Sequence, residues 1–227
     1  MKRLWYVVGL LFIVCWPLAL WAADAPAPAF QVGKDYQIIT PPTTLPAIVN
    51  PPGKVSVVEF FSYGCPWCYK LEAVLEPWLK TAPSDVNFSR VPVVFESNWG
   101  VLARAYYVAY ALGVQDKITP AIFKALHEQG LKINNVQDLE NFFVQQGVSK
   151  QDFESAINSS PVIDMDMAKG NALMRQYQIV AIPTFVVDGK YMTNLMLTNG
   201  DTKKLIQIVN YLVTLNPPAA NTVPKAA

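Results

Sequence analysis

The chain has few cysteines, few charges and no internal repeat. Of its three cysteines, Cys15 lies in an N-terminal apolar run, which leaves the single pair Cys65 and Cys68. One pair is too few for the disulfide framework that stabilises small secreted domains. Charged residues make up only 15% of the 227 residues and the formal net charge is +1, which gives no indication of nucleic acid or another highly charged partner. The remaining composition, 52% hydrophobic, is that of a globular protein.

The N-terminus has the pattern of an export signal. Lys2 and Arg3 precede an apolar run from Leu4 to Ala23, and small residues with prolines follow it. We expect cleavage near Ala23, which removes Cys15 together with the signal. A run of about 20 apolar residues also spans a bilayer core, so an uncleaved membrane anchor is the alternative. The sequence therefore predicts an exported protein.

The stretch from Val55 to Leu79 combines a strand, a cysteine pair and a helix. Val55 to Phe61 is an apolar run rich in β-branched and aromatic residues, which predicts a buried strand. The motif Cys65-Pro66-Trp67-Cys68 follows, and its proline suits the first turn of a helix, where no N–H is needed. Apolar residues then recur at spacings of three and four, on one helical face: Leu71, Val74, Leu75, Trp78 and Leu79. Both sulfurs are therefore predicted at the start of a helix that follows a strand.

Two cysteines in this place form a reactive dithiol. They are close enough for a small disulfide, and the partial positive charge and unpaired N–H groups of a helix N-terminus favour a thiolate at Cys65. Only the thiolate attacks a disulfide, and a low pKa also makes it a good leaving group. Stabilising the reduced form destabilises the disulfide, which makes the pair an oxidant. The pattern therefore predicts a dithiol redox site.

The periodicity of the remaining sequence predicts alternating strands and helices. Strands are predicted at 35–39, 55–61, 86–95, 184–187 and 190–197, and helices at about 66–80, 102–112, 118–126, 136–143, from 149, at 162–177 and at 205–213. This order predicts the α/β class, with a thioredoxin-type domain divided by a helical insertion. The predicted parts are a signal peptide (1–23), a disordered N-terminal segment (24–34), a first thioredoxin part (35–97), the helical insertion (98–170), a second thioredoxin part (171–216) and a disordered tail (217–227).

Three motifs at matching spacing carry a resemblance to a known family. They are EFFSYGCPWCY at Glu59 to Tyr69, ALGVQDKI at Ala111 to Ile118, and IPTFVVDGKY at Ile182 to Tyr191. From about Asp35 to Leu215 the chain resembles the DsbA family of periplasmic thiol:disulfide oxidoreductases. The resemblance implies a thioredoxin fold with an inserted helical domain that caps the active site. It also implies an enzyme that introduces disulfide bonds into newly exported proteins, uses no cofactor or metal, and is reoxidised by a DsbB-type membrane oxidase.

The resemblance assigns roles to the cysteines and to a proline. Cys65 corresponds to the attacking thiolate and Cys68 to the buried resolving cysteine, so the implied redox bond is the disulfide Cys65–Cys68. Ile182-Pro183 matches the family's cis-proline dipeptide beside the active site. There the backbone of Ile182 is expected to pair with an extended segment of a substrate protein. From the residues alone, Pro183 also suits the start of an ordinary strand.

Three charged residues match charged positions in the family. Glu59 lies in the middle of an apolar strand, where an unpaired carboxylate is unfavourable. The resemblance implies that Glu59 assists proton movement at Cys68, and that it forms a buried charged group with Glu72 and Arg90. The alternative places Glu72 on a solvated helix face and Arg90 at an exposed position of a strand.

The dipeptide between the cysteines departs from the family's best-known form. That form is Pro-His, whereas this chain has Pro66-Trp67. Histidine offers charge and hydrogen bonds to a thiolate, whereas tryptophan offers one indole N–H and no charge. We therefore expect Cys65 to be acidic mainly through the helix terminus, with a weaker oxidising bias. Trp67 is alternatively an exposed apolar contact for substrate.

Three other functions compete with disulfide donation. Structural zinc needs four Cys or His ligands, whereas only Cys65, Cys68 and His127 are available, and His127 is predicted to be an ordinary residue of a helix face. A purely structural disulfide in a peptide-binding or chaperone protein is the second alternative, since the aromatic-rich insertion offers apolar surface. The third is a disulfide isomerase or reductase of the same fold. It is less favoured because only about Asp24 to Lys34 precedes the first strand, which is too little for a dimerisation domain.

Overall fold

The computed structural model describes residues 30–40, 51–158 and 160–216, which contain five strands and seven helices. The strands are β1 (Gln37–Ile38), β2 (Val55–Phe61), β3 (Val86–Pro92), β4 (Thr184–Val187) and β5 (Tyr191–Asn194). The helices are α1 (Pro66–Thr81), α2 (Trp99–Ala111), α3 (Gln115–His127), α4 (Val136–Gln145), α5 (Lys150–Asn158), α6 (Ser160–Gln176) and α7 (Thr202–Thr214). The predicted export signal and C-terminal tail lie outside the described residues. None of the described helices has the length and apolar character needed to cross a bilayer.

Strand β2 lies inside a mixed sheet whose order is β1-β5-β4-β2-β3. It runs parallel to β3 on one side and antiparallel to β4 on the other. Every residue of β2 is buried, which explains why its sequence is an almost uninterrupted apolar run. Strand β3 forms an edge of the sheet and ends at Pro92, three residues before its predicted end. The next N–H, that of Val93, still donates to the Phe61 carbonyl at 2.8 Å.

Alternate residues of β2 point into different apolar clusters. Val57 belongs to a cluster with Leu71 of α1 and the apolar stripe of α7, whereas Val58 belongs to one with Tyr177 at the end of α6. Phe61, the last residue of β2, enters a third cluster, which is formed mainly by α2 to α5. The end of β2 is therefore where the sheet meets the helical part of the chain.

Helices α2 to α6 lie between β3 and β4 in the sequence, in the region predicted as a helical insertion. The predicted end of that insertion, residue 170, falls inside α6, which continues to Gln176. The end of α6 packs with the sheet through Leu173 and Met174. One continuous helix therefore belongs to both parts of the chain.

Strand β5 ends three residues before its predicted end for a local reason. The side-chain oxygen of Asn194 accepts hydrogen bonds from the backbone N–H groups of Met196 at 3.0 Å and Leu197 at 3.2 Å. Such a side-chain turn competes with the sheet for the backbone. The connection from β5 to α7 therefore starts directly after Asn194.

Residues 30–34 are folded, so the prediction of disorder up to residue 34 is wrong for them. The Phe30 ring meets Tyr211 of α7 edge-on, with 5.5 Å between ring centroids. The Gln31 N–H donates to the Asp35 carboxylate at 3.0 Å, and Lys204 pairs with the same carboxylate at 2.6 Å. Lys204 lowers the pKa of Asp35 most, and the hydrogen bond from the Gln31 N–H lowers it further. The contacts with Tyr211 and Lys204 join residues that are distant in the sequence, which no local pattern indicates.

Candidate active site

The turn after β2 and the first turn of α1 hold both cysteines. Cys65 is the N-cap residue of α1: its backbone is extended (φ −86°, ψ 116°), and its Sγ accepts a hydrogen bond from the Cys68 N–H at 3.3 Å. Pro66 occupies the start of the helix. The Cys65 N–H donates to the Ser62 carbonyl at 3.1 Å, which closes the turn from β2. The Cys65 sulfur therefore lies where the unpaired N–H groups of α1 point.

The two thiols have opposite environments. Both are free thiols; Cys68 is fully buried and Cys65 is 5% exposed. A hydrogen bond from the Cys68 side chain, helped by the backbone N–H groups of Cys68 and Trp67, lowers the pKa of Cys65 to about 7. Burial raises the pKa of Cys68 well above its ordinary value. At neutral pH, Cys65 is thus the sulfur that can attack or leave as a thiolate, and Cys68 keeps its proton.

The segment before β4 lies against Cys65. The Ile182–Pro183 peptide bond is cis, the isomer that the resemblance implies, and the Ile182 carbonyl oxygen lies 3.9 Å from the Cys65 Sγ. Thr184, the first residue of β4, pairs with Phe60 of β2, so the strand pairing brings this segment to the end of the sheet where the cysteines lie. Ile182 is only partly buried, which leaves a portion of it accessible beside the sulfur.

Glu59, Arg90 and Glu72 form one buried charged group. Arg90 Nε donates to Glu59 Oε2 at 2.7 Å, and Arg90 Nη2 donates to Glu72 Oε1 at 2.5 Å. Glu59 and Arg90 are register partners in β2 and β3, and Glu72 lies on the buried face of α1. Glu72 is 8% exposed and the Arg90 side chain 9%, so the alternative of a solvated helix face and an exposed strand position is wrong.

The buried charged group contains two carboxyl groups but only one guanidinium. Burial raises the pKa of Glu59, and it raises the pKa of Glu72 to about 8, although Arg90 opposes both changes. Glu59 Oε1 is buried without a hydrogen-bond partner among the described residues. The charge of Glu59 in turn raises the pKa of Cys65 and of Cys68. A carboxyl with an open oxygen is therefore electrostatically linked to the buried thiol.

Trp67 lies on the surface next to the dithiol and is 46% exposed. Its ring rests on the connection between β5 and α7, where a Cβ added at Gly200 would lie 3.6 Å from the indole. The Lys70 Nζ lies 4.2 Å from the ring centroid, in a cation–π contact. Both alternatives for Trp67, a weak influence on Cys65 and an apolar contact for substrate, are compatible with this exposed position.

His127 takes part in the site, although the sequence indicated an ordinary helix-face residue. Its Nε2 lies 2.8 Å from the Tyr63 carbonyl oxygen, and its ring stacks on Tyr69 with 5.0 Å between centroids and 7° between planes. The signal available in the sequence was that His127 follows Phe123 by four residues, on the same face of α3. Only the packing of α3 against α1 shows what that face meets.

A cavity of about 560 Å³ adjoins the cysteine turn. The two sequence neighbours of Cys65, Gly64 and Pro66, line it on one side, and Trp99, His127 and Leu131 line it on the other. Its walls are about equally polar and apolar, and their polar side chains include Glu96, Asn98, Lys132 and Asn134. An open space of mixed polarity therefore begins within one residue of the reactive sulfur.

In the part of the chain that the structure describes, no three His, Cys, Asp or Glu side chains are grouped so that they could hold a metal ion. The side chains that converge on Cys65 are those of a dithiol site. The site combines the backbone N–H groups of a helix N-terminus with a buried second thiol and a buried carboxyl, each of which acts on sulfur or on a proton.

Comparison with known proteins places this site in a family. Residues 86–205 match the family model of the DSBA-like thioredoxin domain. The thiol:disulfide interchange protein DsbA of Burkholderia cepacia is 38% identical over 196 residues, which cover 86% of this chain and 90% of that protein. DsbA of Pseudomonas aeruginosa is 33% identical over 202 residues, covering 89% and 93%. Its crystal structure superposes with a TM-score of 0.75 at 33% identity, covering 84% of this chain and 96% of the other. DsbA from Xylella fastidiosa superposes with a TM-score of 0.72 at 33% identity, covering 82% and 97%.

Fold and site together define a thiol:disulfide oxidoreductase built on the thioredoxin fold, which confirms the predicted fold class. The extent and identity of the matches are those of a family member. The chain belongs to the DsbA family.

Proposed function

We propose that the protein is a periplasmic enzyme that introduces disulfide bonds into exported proteins through Cys65 and Cys68. The observation that carries the proposal is the asymmetry of the dithiol. Cys65, at the N-cap of α1, has its pKa lowered to about 7, whereas burial raises the pKa of Cys68. A pair whose reduced form is stabilised in this way passes its disulfide readily to other thiols.

The reaction starts from the disulfide Cys65–Cys68. A client thiolate attacks the Cys65 Sγ, the enzyme's S–S bond breaks, and a mixed disulfide forms while Cys68 leaves with the electron pair and takes up a proton. The second client thiolate then attacks the client sulfur of the mixed disulfide, and Cys65 leaves as a thiolate. The client loses two electrons and two protons, and both electrons remain on the enzyme's sulfurs.

We assign to Glu59 the movement of the proton at Cys68. Its unpaired Oε1 and its electrostatic effect on the Cys68 thiol support this role. Arg90 holds the other oxygen, Oε2, and Glu72 shares the guanidinium, so these two act as supporting charges. A carboxyl with a raised pKa suits proton exchange with a thiol better than an ordinary carboxylate does.

We expect the client to bind as an extended segment beside Cys65, paired with the backbone of Ile182. The cis Ile182–Pro183 bond and the 3.9 Å between the Ile182 carbonyl oxygen and the Cys65 Sγ support this position. A DsbA from Proteus mirabilis, similar at 28% identity and a TM-score of 0.65, has been solved with a non-covalently bound peptide, PWATCDS, which contains a cysteine. Exposed Trp67 offers a further apolar contact for the client.

The electrons left on the dithiol must pass to an oxidant outside this chain. We assign that role to a DsbB-type membrane oxidase, as the family resemblance implies. The export signal predicted at 1–23 supports a periplasmic location, where such an enzyme would meet both partners. We assign no metal, cofactor or nucleic acid to the reaction.

The proposal is tested with purified oxidised protein and a reduced client that contains two cysteines. The wild type should convert the client thiols to a disulfide in a stoichiometric reaction, and Cys65→Ser should be inactive. Cys68→Ser, first loaded at Cys65 as a mixed disulfide with glutathione, should form a Cys65–client mixed disulfide as the client thiolate displaces glutathione. Trapping of free thiols in the exported protein decides the direction in the cell. Mostly oxidised cysteines support disulfide donation, whereas mostly reduced ones indicate an isomerase or reductase. A dithiol that neither oxidises nor reduces a client would indicate a peptide-binding protein without a redox function.

A further inference from the structure

The turn that leads from β2 into α1 does not use the Tyr63 carbonyl in its own hydrogen bonds. The Cys65 N–H donates to the Ser62 carbonyl, and the Gly64 N–H donates to the Ser62 hydroxyl oxygen, both at 3.1 Å. Tyr63 and Gly64 are the two central residues of this four-residue turn. The Tyr63 carbonyl takes no part in either bond, so its partner must come from elsewhere in the fold.

His127, the last residue of α3, supplies that partner. Its Nε2 lies 2.8 Å from the Tyr63 carbonyl oxygen. A carbonyl oxygen can only accept, so Nε2 carries the proton and donates the bond. The single histidine of the chain is thus connected to the backbone two residues before the reactive cysteine.

Aromatic neighbours hold the His127 ring in this orientation. The ring stacks on Tyr69 and lies 6.0 Å from Phe123, centroid to centroid. The Tyr69 backbone N–H donates to the Cys65 carbonyl at 3.1 Å, and the Tyr69 hydroxyl donates to Glu128, which follows His127. His127 therefore contacts the chain on both sides of Cys65, in the turn before it and in the helical turn after it.

The same turn is in close contact with a second helix. A Cβ added at Gly64 would lie only 2.4 Å from the Nε1 of Trp99, the first residue of α2. The turn is thus in contact with α2 at Gly64 and with α3 at Tyr63. The helical part of the chain determines where this backbone lies.

We propose that His127 is a positioning residue for Cys65: by donating to the Tyr63 carbonyl, it holds the turn so that the Cys65 sulfur stays at the N-cap of α1. The inference rests on the proposed function, because the position of this sulfur matters where Cys65 exchanges disulfides. The insertion then does more than cover the active site, since α3 sets the geometry of the nucleophile. The dipeptide Pro66-Trp67 has no histidine. His127 acts on the site from a different helix, α3.

The position of the sulfur controls how strongly the helix N-terminus stabilises the thiolate. The Cys65 Sγ accepts the Cys68 N–H from an extended N-cap backbone, a geometry that a displaced turn would lose. A weaker contact raises the Cys65 pKa and removes stabilisation from the reduced form. The equilibrium with a thiol such as glutathione then shifts toward the oxidised enzyme, which becomes a weaker oxidant.

Three substitutions in the full exported chain isolate the hydrogen bond. His127→Phe keeps a ring for the stack on Tyr69 and removes the N–H. His127→Gln keeps an amide N–H that reaches Tyr63, whereas His127→Asn carries the same amide on a shorter side chain. Lys124→Gln, at an exposed position of α3, is the control. Thiolate absorbance against pH reports the Cys65 pKa, the glutathione equilibrium reports the redox constant, and thermal unfolding reports stability.

His127→Phe and His127→Asn should raise the Cys65 pKa and shift the glutathione equilibrium toward oxidised enzyme by about three- to tenfold, the effect of one lost hydrogen bond. His127→Gln should restore most of both values, and Lys124→Gln should change neither. If His127→Phe lowers only the stability and leaves both values within about twofold of wild type, the proposal is wrong.

If His127→Phe does not fold, the comparison of His127→Gln with His127→Asn still tests the proposal. Equal Cys65 pKa values and equal glutathione equilibria for these two variants would overturn the proposal. A wild-type protein that fails to oxidise clients would count against the proposed function instead, because the thiolate and the glutathione equilibrium are measured on the enzyme alone.

Discussion

Trp67 allows the effect of the dipeptide to be separated from that of the helix. The pKa of Cys65 is lowered by the Cys68 thiol and by backbone N–H groups, one of which belongs to Trp67, while the Trp67 side chain lies largely exposed. We predict that Trp67→His makes the enzyme more oxidising, because a histidine can add charge and hydrogen bonds near the thiolate. The glutathione equilibrium should shift about three- to tenfold toward reduced enzyme.

Trp67→Phe is the matched control for this prediction, since it removes the indole N–H but keeps an uncharged ring. Its redox equilibrium should stay close to that of the wild type. A Trp67→His variant that is more reducing than wild type would contradict the view that the helix terminus, and not the dipeptide, supplies most of the acidity of Cys65.

Glu59 is the second residue whose role is open to a direct test. Its charge raises the pKa of both cysteines, so Glu59→Gln should lower the Cys65 pKa below about 7. Turnover should nevertheless slow, by about 10²-fold if Glu59 carries the Cys68 proton. Thiolate absorbance against pH and single-turnover oxidation of a reduced client measure the two effects.

Glu154→Gln on α5 controls for the loss of a carboxylate, because the Glu154 side chain is 48% exposed and belongs to a surface ion pair. An unchanged thiol titration and an unchanged rate in Glu59→Gln would remove Glu59 from the mechanism. A slower rate with an unchanged titration would contradict the effect of the Glu59 charge on the thiols and leave only the proton-transfer role.

At the scale of elements, the contact between the cysteine turn and α2 leaves no room for a side chain at Gly64. We predict that Gly64→Ala destabilises the protein by about 1–3 kcal/mol, because its Cβ would collide with the Trp99 indole, which cannot withdraw as the end of a flexible chain could. Urea unfolding of the oxidised protein measures the change in the free energy of unfolding.

Gly100→Ala tests the same substitution one residue beyond Trp99. No atom lies within 4 Å of a Cβ added there, and Gly100 lies inside α2, so alanine should be neutral or stabilising by up to about 1 kcal/mol. Equal effects at the two glycines would show that the indole is not in close contact with the turn.

At the scale of the whole molecule, the reduced protein should be more stable than the oxidised one. The Cys65 pKa is about 7 in the folded protein against an ordinary value of 9.0, so the stabilisation is complete only above pH 9 and is lost as the pH falls through 7. The difference in free energy of unfolding between the two redox forms should therefore increase from pH 6 to pH 8.5, by on the order of 1 kcal/mol, because solvent near the helix terminus screens part of the effect.

The window ends at about pH 8.5 because the raised pKa of Cys68 has the opposite effect at higher pH. Reduced Cys65→Ser serves as the control and should lack the pH-dependent gain of the reduced wild type. A difference between redox forms that is constant across this range would contradict a stabilised thiolate at the N-cap of α1.

The sequence predicted the local features of the site, because their signals lie close together in the chain. The apolar run of β2, Pro66 at the start of α1 and the helical spacing after it determined the strand, the cysteine turn and the helix. The assignments of Glu59, Glu72 and Arg90 required the family resemblance. Their contact depends on the register of β2 against β3, which no local pattern encodes.

The contacts that the sequence did not predict join distant parts of the chain. His127 and Trp99 reach the cysteine turn only after α2 and α3 have packed against it, and neither residue belongs to a recognisable motif. Phe30 likewise contacts Tyr211 at the other end of the described chain. Such tertiary contacts override the local composition from which order and exposure were predicted.

The order of the strands also bears on how this protein is made. During synthesis, β2 emerges early together with β3, but the residue that pairs with Val57 on its other side is Val187, which follows the whole helical insertion. Until that late segment arrives, one edge of the most apolar strand stays open to other chains. A polypeptide interrupted within the insertion would therefore carry both cysteines and yet be prone to aggregation, so the oxidant can be completed only after β4 has been synthesised.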